Sequence, residues 1–387
     1  MKSIVNYLAH GAFVLFITAT AVPLVLSGGG VYPMTCALSI ILTLLCTGFR
    51  SLRSINGAQF SFFIVCCVYF LVTSLFIETF IGEETLKEYF LFYLIAGLGS
   101  LLIVNYSFSY IIFLKILIVF ALVIAPIVIT TNYSKLLYEA DNDEWMSKIY
   151  AITPFIIGSI HYLFVGESKI FKFLSVLSLI LYSSMFIMHT PRGAVVMVVA
   201  SLMVFILQKM LDKGWGFREL FTIGFIFFIF IVITAEFLIK ILQDIAEEYH
   251  LAWLVKFVLD EDISNNRNPL FKEAIDGFIS SPVWGNGIAT FHNFWTYPHN
   301  LFLQMLYETG ILMIIPISYL LLKVIKIILN RKSMGGIDYR FFTYFFLLSM
   351  NQLMFSSFFW RNHCFWLMIW SIMGVLYKKS RMKSIYI

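Results

Sequence analysis

Long apolar runs separated by short polar joints govern this chain from end to end. A helix needs about twenty mostly apolar residues to cross the hydrocarbon core of a bilayer. With that ruler the pattern predicts spans at 8–26, 31–48, 60–78, 89–104, 109–130, 150–165, 171–189, 193–208, 220–239, 300–322, 341–358 and 364–377. The expected fold is all-α: one polytopic membrane helix bundle of about twelve transmembrane helices filling 1–387. One joint is much longer than the rest, 240–298, between the ninth and tenth spans. Its composition is not that of a disordered segment, because it holds Trp253, Phe257, Phe271, Phe278, Trp284, Phe291, Phe294 and Trp295. Long loops in compact proteins are usually functional or disordered, which makes this one a functional candidate. Within it, Asn268-Pro269 is a helix-start signal, with Asn as cap and Pro in the first turn. Leu270, Phe271, Ala274, Ile275 and Phe278 then fall on one face, and Lys272, Glu273 and Asp276 on the other. A short amphipathic helix is expected at 269–279, followed by a tight turn at Trp284-Gly285-Asn286-Gly287.

The charges in the joints set an orientation. Lys and Arg collect on the cytoplasmic side of membrane proteins. Arg50, Arg53, Lys169, Lys172, Lys209, Lys213, Arg218, Lys323, Lys326, Arg331, Lys332, Arg340 and the tail lysines fall in alternate joints. The intervening joints are acidic, with Glu78, Glu83, Glu84 and Glu88 in one and Glu139, Asp141, Asp143 and Glu144 in another. Both termini are therefore expected in the cytoplasm, and the long loop on the periplasmic side. Ala19-Thr20-Ala21 resembles a signal-peptidase site, yet with so many spans following, an uncleaved first helix is expected.

Composition agrees with the pattern. The 387 residues are 60% hydrophobic and 13% charged, against about 25% charged in soluble domains. The net charge of +5 sits in short joints, which argues against a nucleic-acid partner. The five cysteines, Cys36, Cys46, Cys66, Cys67 and Cys364, form no CxxC pair and read as buried thiols. No metal-binding pattern, phosphate-cradling loop or Gly-x-Ser-x-Gly elbow is present, so no metal and no cofactor is expected.

The expected orientation gathers several residues on the outer face. Arg192 ends a span in Thr190-Pro191-Arg192-Gly193, Arg267 stands in the long loop, His299 stands where that loop re-enters the membrane, and Arg361 and His363 lie between the last two spans. A guanidinium offers a planar fork of donors to phosphate oxygens, and an imidazole exchanges protons near neutral pH. Together they suit a lipid-linked phosphate ester and a proton transfer. Each also has a plainer reading. Arg192 and Arg361 can anchor helices at the headgroups, Arg267 can pair with Asp260 or Asp262, His299 can cap the helix that follows, and His363 can be structural. His10, His250 and His292 read as structural, and His161 and His189 lie at span ends. Glu236 and Glu308 sit near the outer ends of apolar runs. Ionisable groups there are costly, and Glu308 is the better site candidate.

The stretch from Asn268 to Gly287, followed by Pro298-His299-Asn300 and Glu308-Thr309-Gly310-Ile311, resembles the signature of the O-antigen polymerase and O-antigen ligase superfamily. The likeness comprises Arg267, the amphipathic helix, Pro282, Gly285 with Gly287, His299-Asn300 and Glu308-x-Gly310-Ile311. Thr190-Pro191-Arg192-Gly193-Ala194 resembles the start of the preceding family span. There are two departures: no second glycine follows Gly310-Ile311, and the Trp360-Arg361-Asn362-His363 turn has no family counterpart. The resemblance implies a metal-independent glycosyltransferase of the bacterial inner membrane with a periplasmic site. Its partners would be an undecaprenyl-pyrophosphate-linked oligosaccharide, membrane lipids and, as a candidate, a chain-length regulator protein. It implies His299 as catalytic base, with Arg192, Arg267, Asn300 and Glu308 holding pyrophosphate or sugar; Arg361 and His363 join that set only from their expected place on the outer face. The spacing is nearer to polymerases than to ligases, and capsule or exopolysaccharide polymerases are close. A polyprenyl-linked glycan transporter is the reading from another class. About twelve spans suit one, but no two-fold repeat or Gly/Pro-broken pair of spans appears.

Overall fold

A computed structural model describes residues 2–24, 31–53, 55–76, 83–104, 109–138, 143–189, 192–215, 222, 267–291, 298–331, 337–355 and 359–384. Among them the regular structure is helical: α1 (Lys2–Ile17), α2 (Val31–Thr47), α3 (Arg50–Arg53), α4 (Gly57–Phe76), α5 (Glu83–Tyr93), α6 (Gly99–Ile103), α7 (Tyr110–Tyr138), α8 (Asp143–Val165), α9 (Lys169–His189), α10 (Arg192–Asp212), α11 (Asn268–Ser280), α12 (Leu301–Asn330), α13 (Tyr339–Phe355) and α14 (His363–Ser384). Every expected span except 220–239 falls on a helix. That one lies outside the described residues apart from Thr222, as do loop residues 240–266 and 292–297. Among the described residues, five stretches are long and apolar enough to cross a membrane: Gly57–Leu75, Leu86–Ile103, Tyr110–Thr130, Ala194–Asp212 and Leu301–Asn330. Ile4–Ile17, Val31–Thr47 and Tyr150–Val165 are shorter apolar helices. This is a multi-pass membrane helix bundle.

The chain forms two compact units, Met1–Ile116 with Asn266–Ile387, and Leu117–Asn265. In the first, α14 is the core helix, with Trp366 and Trp370 fully buried. Its neighbours are fixed by hydrogen bonds that a dry interior requires of every buried polar group. Gln59 Nε2 donates to the Trp370 carbonyl at 2.7 Å. Trp370 Nε1 donates to the Gly97 carbonyl at 2.8 Å. Gly97 lies in a π-helical turn, Leu94–Leu98, that joins α5 to α6. Such a turn disturbs the regular backbone ladder, and the indole supplies a partner there. Tyr93, Trp360, Trp366 and Trp370 form an aromatic stack through this core. On α2 the hydroxyls of Thr35, Ser39 and Thr43 each bond a carbonyl one turn back, so a polar stripe is satisfied within its own helix.

The first span differs from expectation. Its helix ends at Ile17 rather than near residue 26, and Val22–Leu24 forms a separate 3₁₀ turn containing Pro23. Two causes are visible. Proline cannot donate to a helix ladder, and the Ile17 carbonyl, left over at the helix end, accepts from His363 Nε2 at 2.9 Å.

In the second unit α8 packs against α9 and α10. Ser159 and Ser178 bond each other at 3.1 Å, and Tyr182 Oη donates to the Ala121 carbonyl at 2.9 Å. Lys209 Nζ, near the end of α10, donates to the Phe164 carbonyl near the end of α8, which suits the negative end of a helix dipole.

Candidate functional site

The site is built on α11 and the first part of α12, and both begin with sequence-coded starts. Pro269 lies in the first turn of α11 as expected, but the residue before the helix is Arg267, and it makes no side-chain cap bond. Asn268 is already helical, so it does not serve as cap. At α12 the cap is Asn300: extended at φ −145°, ψ 118°, its Oδ1 accepts from the Phe302 and Leu303 amides at 3.0 and 3.2 Å. Asn300, rather than His299, therefore caps the helix. It satisfies two of the amide donors that a helix start leaves over.

His299 immediately precedes this cap with φ +50°. A left-handed backbone is uncommon for a residue with a Cβ, and such strain persists only where the surroundings enforce it. Its imidazole is largely withdrawn from water. Burial, and secondly the positive charge of Arg267, push its pKa down to about 4. The ring is therefore neutral at physiological pH and able to accept a proton. The Arg267 charge is thus within electrostatic reach of the His299 ring.

The Gly285 and Gly310 signatures meet as well, through the backbone. α12 breaks at Gly310, where φ is 57° and ψ is −152°, a region open to glycine alone. The turn after α11 plugs that break. Asn286 and Gly287 amides donate to the Tyr307 and Glu308 carbonyls at 2.7 and 3.0 Å. In return, the Ile311 and Leu312 amides donate to the Pro282 and Val283 carbonyls at 2.9 and 3.4 Å. A Cβ on Gly285 would overlap the Glu308 peptide, and one on Gly310 would sit 2.5 Å from the Val283 oxygen. Tyr69 of α4 seals the junction by donating to the carbonyls of Trp284 and Glu308. The Pro–Gly-x-Gly and Glu-x-Gly-Ile motifs are thus two halves of one joint. No spacing within the sequence pointed to Tyr69.

Glu308 is only 1% exposed. Its Oε1 accepts from Gln304 Nε2 at 3.0 Å and its Oε2 from Trp360 Nε1 at 2.8 Å. Both carboxylate oxygens are spoken for, so Glu308 braces the turn before α14 from within. In that turn the half-buried Arg361 guanidinium lies 5.4 Å from the Tyr32 ring centre and 4.9 Å from that of Phe92, a cation–π arrangement that fixes its position. His363 is buried. Its ring bonds the Ile17 carbonyl and packs edge-on against Phe16, while its carbonyl accepts from Ser100. It works as a packing residue between α1, α6 and α14. Arg192 is the first residue of α10, in the second unit, and its side chain lies outside the described residues. His10 bonds the Asn6 carbonyl and the Ser109 amide, and His161 stacks on Phe205 at 3.9 Å. Among the described residues no group of three His, Cys, Asp or Glu suits a metal ion.

The amphipathic face of α11 also departs from expectation. Ala274 is fully buried, but Ile275 and Ile279 are 46% and 68% exposed. With Val283 and Trp284, also exposed, they make an apolar ridge, a surface that suits the lipid boundary, where tryptophan is enriched.

Residues 177–317 match the family model Wzy_C, O-antigen ligase. The match spans Arg192, α11, His299 and the Gly310 joint, and it supports the O-antigen polymerase and ligase superfamily. No curated protein and no solved structure matches the chain.

Proposed function

We propose that the chain is an O-antigen polymerase, joining oligosaccharide repeat units carried on undecaprenyl pyrophosphate at the periplasmic face of the inner membrane. The observation that carries the reading is the neutral, half-buried His299 within reach of the Arg267 charge, at the start of a broken apolar helix inside the family-matched stretch.

The reaction assigns each group a task. His299 takes the proton from the acceptor sugar hydroxyl. The oxygen attacks the anomeric carbon of the donor, and the bond from that carbon to the pyrophosphate oxygen breaks. The leaving undecaprenyl pyrophosphate carries the charge away, held by Arg267. Hydrogen bonds to charged groups contribute about 1.5–3 kcal/mol each, and fixed cations aimed at developing charge are commonly the larger catalytic contribution. A base works best with a pKa near the working pH. His299 rests below that, but a bound pyrophosphate brings negative charge beside it and raises its proton affinity when it is needed.

A pH prediction follows from the same pair. Removing the cation in Arg267→Gln raises the His299 pKa, while burial, the larger cause, stays. The acid limb of the normalised kcat/KM profile, which reports the free enzyme, should move to higher pH, from about 4 towards the ordinary histidine value. A limb that stays in place in the variant would show that His299 is not the titrating base.

A ligase is the second reading, favoured by the description of the matched family. Gene deletion followed by lipopolysaccharide electrophoresis separates the two. Loss of a polymerase leaves core plus one repeat unit, and loss of a ligase leaves bare core. An unchanged ladder in the deletion strain would refute both.

A further inference from the structure

We infer that the polar face of α11, together with Asn286 and Tyr307, forms a saccharide-binding groove that holds the sugar chain of the substrate in line with His299. The inference rests on the glycan-transferase reading and adds where the sugars lie.

A groove of about 510 Å³ runs along α11, lined by Pro269, Lys272, Glu273, Asp276, Ser280 and Asn286, with Gly277 and Tyr307 completing it. Its chemistry selects among ligands. One ammonium faces two carboxylates, so the lining repels a phosphate or another anion. Aliphatic side chains are nearly absent from it, so it offers little to an acyl or polyprenyl chain. What it does offer is carboxylate, amide, hydroxyl and phenol groups close together. A sugar carries adjacent hydroxyls that donate and accept at once. A carboxylate accepts from two of them, and an amide oxygen can accept from another. Glu273 and Asp276, three positions apart, share one helix face.

The groove is preformed. Asn286 Nδ2 donates to the Gly277 and Tyr307 carbonyls at 2.8 and 3.2 Å, which fixes the amide plane. Gly277 is what lets Tyr307 in: a Cβ there would stand 2.3 Å from the Tyr307 ring. Preorganisation of this kind lowers the ordering cost of binding.

Its direction fits as well. Pro269, at one end, stands two residues from Arg267, whose charge reaches His299. From there to Ser280 the helix rises about 16 Å, long enough for several sugar units to lie along α11. The diphosphate end would then meet Arg267 while the glycan trails along the acidic face.

The test uses the full chain in lipid nanodiscs and two calorimetric titrations. One probe is the free repeat oligosaccharide released from the host's own surface glycan, and the other is undecaprenyl pyrophosphate without sugar. Glu273→Gln and Asp276→Asn keep shape and remove charge on a partly exposed face, and each is measured singly and together. The double variant should bind the oligosaccharide at least tenfold more weakly and bind undecaprenyl pyrophosphate as wild type does. Oligosaccharide affinity within twofold of wild type in the double variant, or no binding by the wild-type chain, overturns the groove. A tenfold loss of sugar affinity, with no binding of undecaprenyl pyrophosphate even by wild type, upholds the groove and removes the polymerase reading.

Discussion

Replacing His299 by alanine should abolish long glycan ladders while the protein remains in the membrane at its normal level. General-base assistance is worth roughly 10²–10⁴ in rate, and a ladder needs many successive transfers, so even the lower figure empties the high-mass lanes. Backbone strain is the confounding effect, because His299 holds φ +50°. Alanine tolerates that region poorly, whereas asparagine visits it more readily. The paired His299→Asn variant therefore separates the two contributions. It should be at least as stable as wild type by thermal melting and equally inactive. Long ladders from a well-expressed His299→Ala or His299→Asn chain would remove His299 from the chemistry.

The second large effect is structural. Gly310→Ala should prevent the chain from accumulating in folded form. The backbone there sits at φ 57°, ψ −152°, a conformation costing about 1–3 kcal/mol for a residue with a side chain. The added carbon would also lie 2.5 Å from the Val283 oxygen. That oxygen is backbone and already receives the Leu312 amide, so it cannot yield without undoing the joint. Natural proteins are stable by only about 5–15 kcal/mol, and the loss takes a large part of that. The check is the amount of protein in washed membranes and its melting temperature in detergent. The neighbouring Ile311→Ala, on a side chain 37% exposed, serves as comparison and should be tolerated. A Gly310→Ala chain that melts with wild type would show that the kink is not required.

Much of this architecture was legible in the residues, and the boundary of legibility has physical causes. The helix expected at 269–279 spans Asn268–Ser280, because proline and apolar spacing are local signals. The cap of the helix after His299 fell one residue on, at Asn300. What escaped depends on partners far away in sequence. Glu308-Thr309-Gly310-Ile311 reads as uninterrupted helix, and the break is stable only because the 282–287 turn supplies the missing hydrogen bonds. The π turn at Leu94–Leu98 pairs with an indole 273 positions away. Glu308 looked like a site residue because a carboxylate in an apolar run is costly, and its compensation is the Trp360 indole, 52 positions on. For the functional pair, chemistry identified Arg267 and His299 as candidates. Their proximity belongs to the fold.

The plugged break in α12 also governs how a lipid-borne substrate reaches His299. α11 might be imagined as a lid that lifts away, yet its trailing turn is stapled to α12 by four main-chain bonds, and Asn286 ties the turn back to α11 itself. Lifting α11 alone would tear open all of these at the bilayer edge, where water is scarce as a replacement partner. The two elements therefore travel as one rigid piece, and entry for a bulky polyprenyl carrier falls to other parts of the molecule.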